Sequence, residues 1–144
     1  MKQLGEYEEQ YPEIKALSTI PGIATVRANI IAAAVCSPER FENKNKFWSY
    51  CMLVKHDIQS GGKSYGKETI FGKKSLKNVF MGAAESNISG YLGLRWYYDQ
   101  CREKGLDNKA AKQNLARKIA SISLAVMKTK KPYDEGHIKK EQKV

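Results

Sequence analysis

A serine hydroxyl set among glycines and lysines is the most reactive arrangement this sequence offers. The stretch from Gln59 to Lys77 places Ser60 directly before Gly61 and Gly62, and adds Lys63, Lys67, Lys73, Lys74 and Lys77. Glycine lets a main chain approach a ligand closely, and a group of ammonium charges attracts a polyanion. A hydroxyl presented there could attack a phosphodiester, provided that a base or a metal takes its proton and that something neutralises the crowded phosphoryl oxygens. His56 could serve as that base, and Tyr65 is a rival nucleophile, although no histidine and arginine constellation accompanies it. Taken alone, Ser-Gly-Gly is also what an ordinary surface turn looks like.

A second feature points to phosphate. The run Leu17-Ser-Thr-Ile-Pro21-Gly22-Ile23-Ala24-Thr25-Val26-Arg27-Ala28 resembles the helix-hairpin-helix motif of many DNA repair and recombination proteins. A tight Pro-Gly hairpin is expected to leave amides around Gly22, Ile23, Ala24 and Thr25 free at a helix start, where aligned dipoles favour a phosphate oxygen. Such a contact reads backbone and not base sequence. The motif usually carries a second glycine where this chain has Ala24, and a plain helical hairpin packed in the core is the competing reading.

Charge is distributed in the same sense. The net charge of +10 is confined to two segments, residues 43 to 78 at +6 and residues 109 to 144 at +7, while residues 1 to 42 and 79 to 108 are slightly acidic. Clustering of this kind suggests a phosphate-facing surface, against the alternative of a merely solvated one. Three cysteines (Cys36, Cys51, Cys101) and two histidines (His56, His137) stand at no metal-ligand spacing, so no metal site is expected within the chain. Reduced, buried thiols are the expected state, and no apolar run is long enough for a bilayer or resembles a signal core, so a cytoplasmic protein is expected.

The elements that must position these groups read as helices. A chain of 144 residues suits a single domain. Residues 1–11 look like the end of an upstream helix. Pro12 opens a helix to Thr19, and Thr25 to Val35 forms the next, with Val26, Ile30, Ala33 and Ala34 as its expected apolar face. Ser37-Pro38-Glu39 reads as a cap and a short turn, and a helix from Asn45 to Leu53 is expected to bury Phe47, Tyr50 and Leu53. Periodicity dissolves over 54–74, returns at Leu76, Val79, Phe80 and Ala83, and restarts near Tyr91 to end at Gly105. Trp96, Tyr97 and Tyr98 could stack on bases, but at helical spacing they read first as core or as a dimer surface. Asp107 is placed to cap a last helix, Asn108 to Met127, whose Ala111, Leu115, Ile119, Ile122 and Val126 cover a core while Lys109, Lys112 and Lys118 point outward. Residues 134–144 have too few apolar groups to fold and are expected to be a mobile basic tail. No strand pattern stands out. The fold expected is all-α: a single helical domain over residues 12–133, with the hairpin at about 14–35 and a long loop carrying Ser60.

An ordered set of these pieces resembles the C-terminal domain of Piv/MooV-type transposases, the insertion-sequence one-ten family. The set runs from Ile20-Pro-Gly-Ile23 through Arg40-Phe41, Tyr50, Ser60-Gly-Gly-Lys63, Gly72-Lys-Lys-Ser-Leu76 and Ala83-Ala84 to Tyr97-Tyr98, Lys104-Gly105, Ala116-Arg117-Lys118 and Lys131-Pro132-Tyr133. The resemblance implies a recombinase in which Ser60 attacks DNA and forms a covalent ester. It also implies DNA contacts at Gly22, Ile23, Ala24, Thr25, Gly61, Gly62, Lys63, Lys67, Lys73, Lys74, Lys77 and Arg117. Magnesium would be held by an N-terminal RuvC-like acidic domain outside this chain, since its fifteen Asp and Glu form no strand-borne cluster. The expected partners are element-end and target DNA, an element-encoded guide RNA as in some relatives, and further copies in a homo-oligomer, without a membrane. The sequence departs from the pattern where relatives often have Gly-Leu-x-Pro and this chain has Met52-Leu53-Val54-Lys55, and where Lys73, Lys74 and Lys77 replace arginines. A non-catalytic DNA-binding module or decayed remnant is the alternative.

Overall fold

A computed structural model of the chain describes residues 12–54, 59–60, 63–64 and 73–134. The expected upstream helix end in residues 1–11 and the tail beyond Asp134 lie outside them. Among the described residues six helices follow in order: α1 Pro12–Leu17, α2 Thr25–Val35, α3 Lys44–Tyr50, α4 Lys74–Ser89, α5 Arg95–Glu103 and α6 Asn108–Thr129. A 3-10 turn, Pro38–Arg40, sits between α2 and α3. Among the described residues the only strands are β1, Gln59–Ser60, and β2, Lys63–Ser64, which pair antiparallel where no strand was expected. No described helix is long and apolar enough to cross a membrane.

Helix α6 is the axis on which the others pack: α1, α3, α4 and α5 all lie against it. Asp107 starts it as expected, its carboxylate accepting from the Ala110 amide at 2.8 Å. The predicted stripe of Ala111, Leu115, Ile119, Ile122 and Val126 is buried, and so are Ala116, Ala120, Leu124 and Met127. A helix covered on several sides buries more than one stripe.

The face expected for α2 is not the one observed. Ala28, Ile31 and Val35 are buried, whereas Val26 is 59% exposed and Ile30 37%. This helix is apolar nearly all round, so its own periodicity does not choose a side; α1 and α4, which pack on it, do. Ser37 also departs from expectation. Its hydroxyl donates to the Glu39 carboxylate at 3.0 Å instead of capping a backbone amide.

Helix ends are set by left-handed residues at places where composition only partly signals them. Gly105, at φ +98°, closes α5 as expected, with Leu106 N–H donating to Cys101 O at 3.1 Å. Met52, at φ +59°, does the same for α3, with Leu53 N–H donating to Trp48 O at 2.9 Å. Helix α3 therefore stops at Tyr50 instead of continuing to Leu53, and begins one residue before expectation because Asn43 caps it through Lys46 N–H at 3.0 Å. Leu53 is still buried, but as the residue that follows the cap.

Candidate functional site

The segment that carries Ser60 is fastened at its root. Met52 turns the chain out of α3, and the carbonyl of the next residue, Leu53, accepts a 2.9 Å hydrogen bond from Arg117 Nη1 on α6. At the other end, Lys73 N–H donates to Tyr50 O at 2.7 Å immediately before α4 begins. Leu53 and Lys73, which flank the serine segment, are thus both held at the C-terminal end of α3. Within that segment the backbone of Ser60 lies opposite Lys63, and Gln59 opposite Ser64, so Ser60 stands at the end of a short hairpin. Gly61, Gly62, Lys67, His56 and Tyr65 lie outside the described residues.

Arg117 is held as firmly as it holds. Its Nη2 donates to Asn114 Oδ1, one turn back along α6. Its main-chain oxygen accepts from Trp48 Nε1 at 2.8 Å, and the same indole N–H reaches Ser121 Oγ at 3.1 Å. Trp48 therefore binds α3 to α6 at the same residue whose guanidinium binds the serine segment. The expected DNA contact at Arg117 is a half-buried group that donates to acceptors within the protein.

Lys73, Lys74 and Lys77 are exposed on the cap and first turn of α4, which carries no acidic residue there and no side-chain cap. Lysines at a helix N-terminus oppose the helix dipole, and an anion bound there relieves that conflict. Lys77 and Arg117 also share the lining of a small surface hollow at the root of the serine segment, with Leu53 and Val54.

The Pro21-Gly22 hairpin is seated deep against α4. Gly22 has φ +89°, and a Cβ there would lie 2.6 Å from Asn87 Nδ2 and 2.7 Å from Ala83 O. Asn87, fully buried, donates to Pro21 O and Ala83 O at 2.9 Å each and accepts from Leu94 N–H at 3.1 Å. Arg27 Nη1 reaches Gly22 O at 2.9 Å and Ser86 Oγ at 3.1 Å. The amide of Ile23, expected to face phosphate, donates to Ile20 O at 2.9 Å, and its side chain is buried. The turn satisfies itself there, because the four residues from Ile20 to Ile23 close a β-turn. Ala24, exposed, and Thr25, half-exposed, remain at the surface start of α2.

Sequence reading missed Asn87, Trp48 and Arg27. For Asn87 the signal was slight: asparagine is a poor helix former, but this one lies in the last turn of α4, where such residues are tolerated. Of the three neighbouring aromatics, Tyr98 is core, with its hydroxyl donating to Asn108 Oδ1 at 2.6 Å. Trp96 and Tyr97 meet edge to face at 5.9 Å, and burial pushes the Tyr97 phenol above its ordinary range.

Among the described residues no three His, Cys, Asp or Glu side chains converge to hold a metal ion. The described part of this chain does not fit a magnesium site.

The Transposase IS116/IS110/IS902 family matches residues 14–98, more than half of the chain, from α1 through the serine segment into α5. The chain belongs to this family. As a member of the IS116/IS110/IS902 group it is also similar to the pilin gene-inverting proteins of Moraxella bovis, at 27% identity, and Moraxella lacunata, at 26%, in each case over 83% of the chain. It spans 38% of the length of each. The matched region contains the fastened root, the hairpin of Ser60 and the Asn87 clamp. Arg117 lies beyond it, on the helix that packs against α1, α3, α4 and α5.

Proposed function

We propose that this transposase-family chain is a DNA-joining domain in which the Ser60 hydroxyl attacks a DNA phosphodiester. A bond forms between Ser60 Oγ and phosphorus, the bond to one deoxyribose oxygen breaks, and that strand end leaves as a hydroxyl that takes up a proton. The phosphoseryl ester keeps the bond energy, and a second strand end reverses the step to rejoin DNA. The observation that carries this reading is the double fastening of the serine segment, Leu53 to Arg117 and Tyr50 to Lys73, beside the basic first turn of α4. It fixes both ends of the serine segment, and it sets Lys73, Lys74 and Lys77 at the segment's return to receive phosphate.

The hairpin start at Ala24 and Thr25 is proposed as a second backbone contact. Names of the relatives, which invert a pilin gene, support strand exchange between specific sites. Magnesium, if used, is proposed to come with an acidic domain outside these 144 residues, where it would stabilise phosphoryl charge.

A covalent-complex assay tests the reading. The chain is supplied with the acidic region of a family member, magnesium and an element-end DNA, and protein-DNA adducts are separated under denaturing conditions. A band is expected for wild type and for Tyr65→Phe and none for Ser60→Ala. A band that survives Ser60→Ala, or disappears only with Tyr65→Phe, overturns it, and no band in the wild type favours a binding module without chemistry.

A further inference from the structure

A groove of about 780 Å³ lies on the side of α6 that faces α3 and the start of α5. Four cations line it, Lys44, Arg117, Lys118 and Lys128, together with the rings of Trp48 and Tyr97, and no carboxylate does. Three cations elsewhere on the described surface meet acids: Lys46 pairs with Glu42 at 2.6 Å, Lys112 with Glu85 at 3.0 Å and Arg95 with Asp99 at 3.5 Å. Two of the groove's cations meet neutral acceptors. Lys128 donates to Phe41 O at 2.6 Å and Arg117 to Leu53 O at 2.9 Å, and neither forms an ion pair among the described residues.

The rings are pre-set. Trp48 is held at its edge by the two acceptors on α6, Arg117 O and Ser121 Oγ, which fixes the plane of the indole before anything binds. Lys44 Nζ lies 5.4 Å from the Trp48 ring centre and Lys118 Nζ 5.7 Å from that of Tyr97. The long stem of Lys44 can swing its ammonium from the Trp48 ring to a phosphate and uncover a stacking face. A B-form duplex offers phosphates but keeps its bases stacked inside, so it can use the cations and not the rings. An unpaired strand can use both.

We propose that this groove binds a short single-stranded nucleic-acid segment, with phosphates on Lys44, Lys118 and Lys128 and a base against Trp48 or Tyr97. The site is separate from Ser60 and does not depend on its chemistry. Because Arg117 joins the groove to Leu53, a strand seated there would be held next to the root of the serine segment.

The test uses the whole chain with Ser60→Ala, so that covalent joining plays no part. Oligonucleotides of about twelve residues, deoxyribo and ribo, carry 5-iodouracil for photocrosslinking, and the crosslinked peptides are mapped by mass spectrometry. Adducts are expected at Trp48 or Tyr97 with at least one of the two sugars, and the sugar preferred identifies the natural strand. Binding isotherms over a range of salt should show a log-log slope that falls by about 1.4 in Lys44→Gln/Lys118→Gln, at about 0.7 for each single-strand phosphate that is no longer neutralised. Thermal melting of that variant, whose two lysines lie outside the core, verifies its fold. Adducts confined to other peptides, an unchanged slope, no measurable binding, or a duplex of the same sequence that competes as well as the single strand would each overturn the proposal.

Discussion

Arg117 Nη1 donates a 2.9 Å hydrogen bond to the main-chain oxygen of Leu53, across 64 residues of sequence. The middle of the central helix is thereby tied to the point where the serine-bearing segment leaves the fold. The guanidinium also donates to Asn114 Oδ1, and its planar fork serves both acceptors at once.

Arg117→Lys keeps the charge and loses that fork. The expected cost is about 1.5–3 kcal/mol in chemical denaturation, the range for a hydrogen bond made by a charged group. Covalent adduct formation by Ser60 should fall more than folding explains, while the salt dependence of DNA binding should stay near wild type. Arg117→Gln, which removes the charge, should likewise leave that slope near wild type, and a flatter slope would mean that Arg117 binds phosphate directly instead of positioning the segment.

Gly22→Ala should destabilise by more than the roughly 1–2 kcal/mol that handedness alone costs a side chain in the left-handed region, because the new Cβ also meets Asn87 and Ala83 O at less than 3 Å. Asn87→Ala should cost a comparable or larger amount, about 2–4 kcal/mol, since it strips the partners of Pro21 O and the Leu94 amide. Urea unfolding of each variant measures this. A neutral Gly22→Ala would show that the hairpin is not seated against α4.

The three thiols should separate by burial. Cys36 is exposed, whereas Cys51 and Cys101 are buried, and desolvation pushes the Cys51 thiol far above its ordinary range. A group raised in this way stays a neutral thiol across the physiological range, and only the thiolate reacts. At about pH 8, near the ordinary thiol range, a thiol reagent should label Cys36 alone, and Cys51 and Cys101 only after denaturant is added. Rapid labelling of Cys51 in the native protein would contradict the packing of α3 against α6.

Replacing Lys73, Lys74 and Lys77 with glutamine should flatten the salt dependence of duplex DNA binding by about 2.7 in the log-log slope if each meets one phosphate, at about 0.9 per phosphate. Stability should hold or rise, because three cations leave a helix start whose dipole they oppose. An unaltered slope would remove the start of α4 from the DNA interface. The groove along α6 would be untouched by that result, since it contains none of these lysines.

The sequence by itself determined the helices whose signals are local. Asp107 ahead of the α6 stripe and Gly105 behind α5 are short-range devices, read within a few residues, and both act as expected. The same holds for the ordered motifs that mark the family, and for the accumulation of lysine around Ser60. Tertiary structure alone decided what those residues face. Helix α2 is apolar on every side, so only its neighbours could bury Ile31 and leave Val26 in solvent. Met52 carries no sign of the left-handed turn that ends α3, because any side chain can be forced there once Leu53 is drawn into the core. Trp48 meets Arg117 O across 69 residues and Asn87 meets Pro21 O across 66, and no pattern of period two or 3.6 encodes such pairs. Hydrogen bonds between distant helices depend on how the helices cross, and that is set by the packing of the whole core.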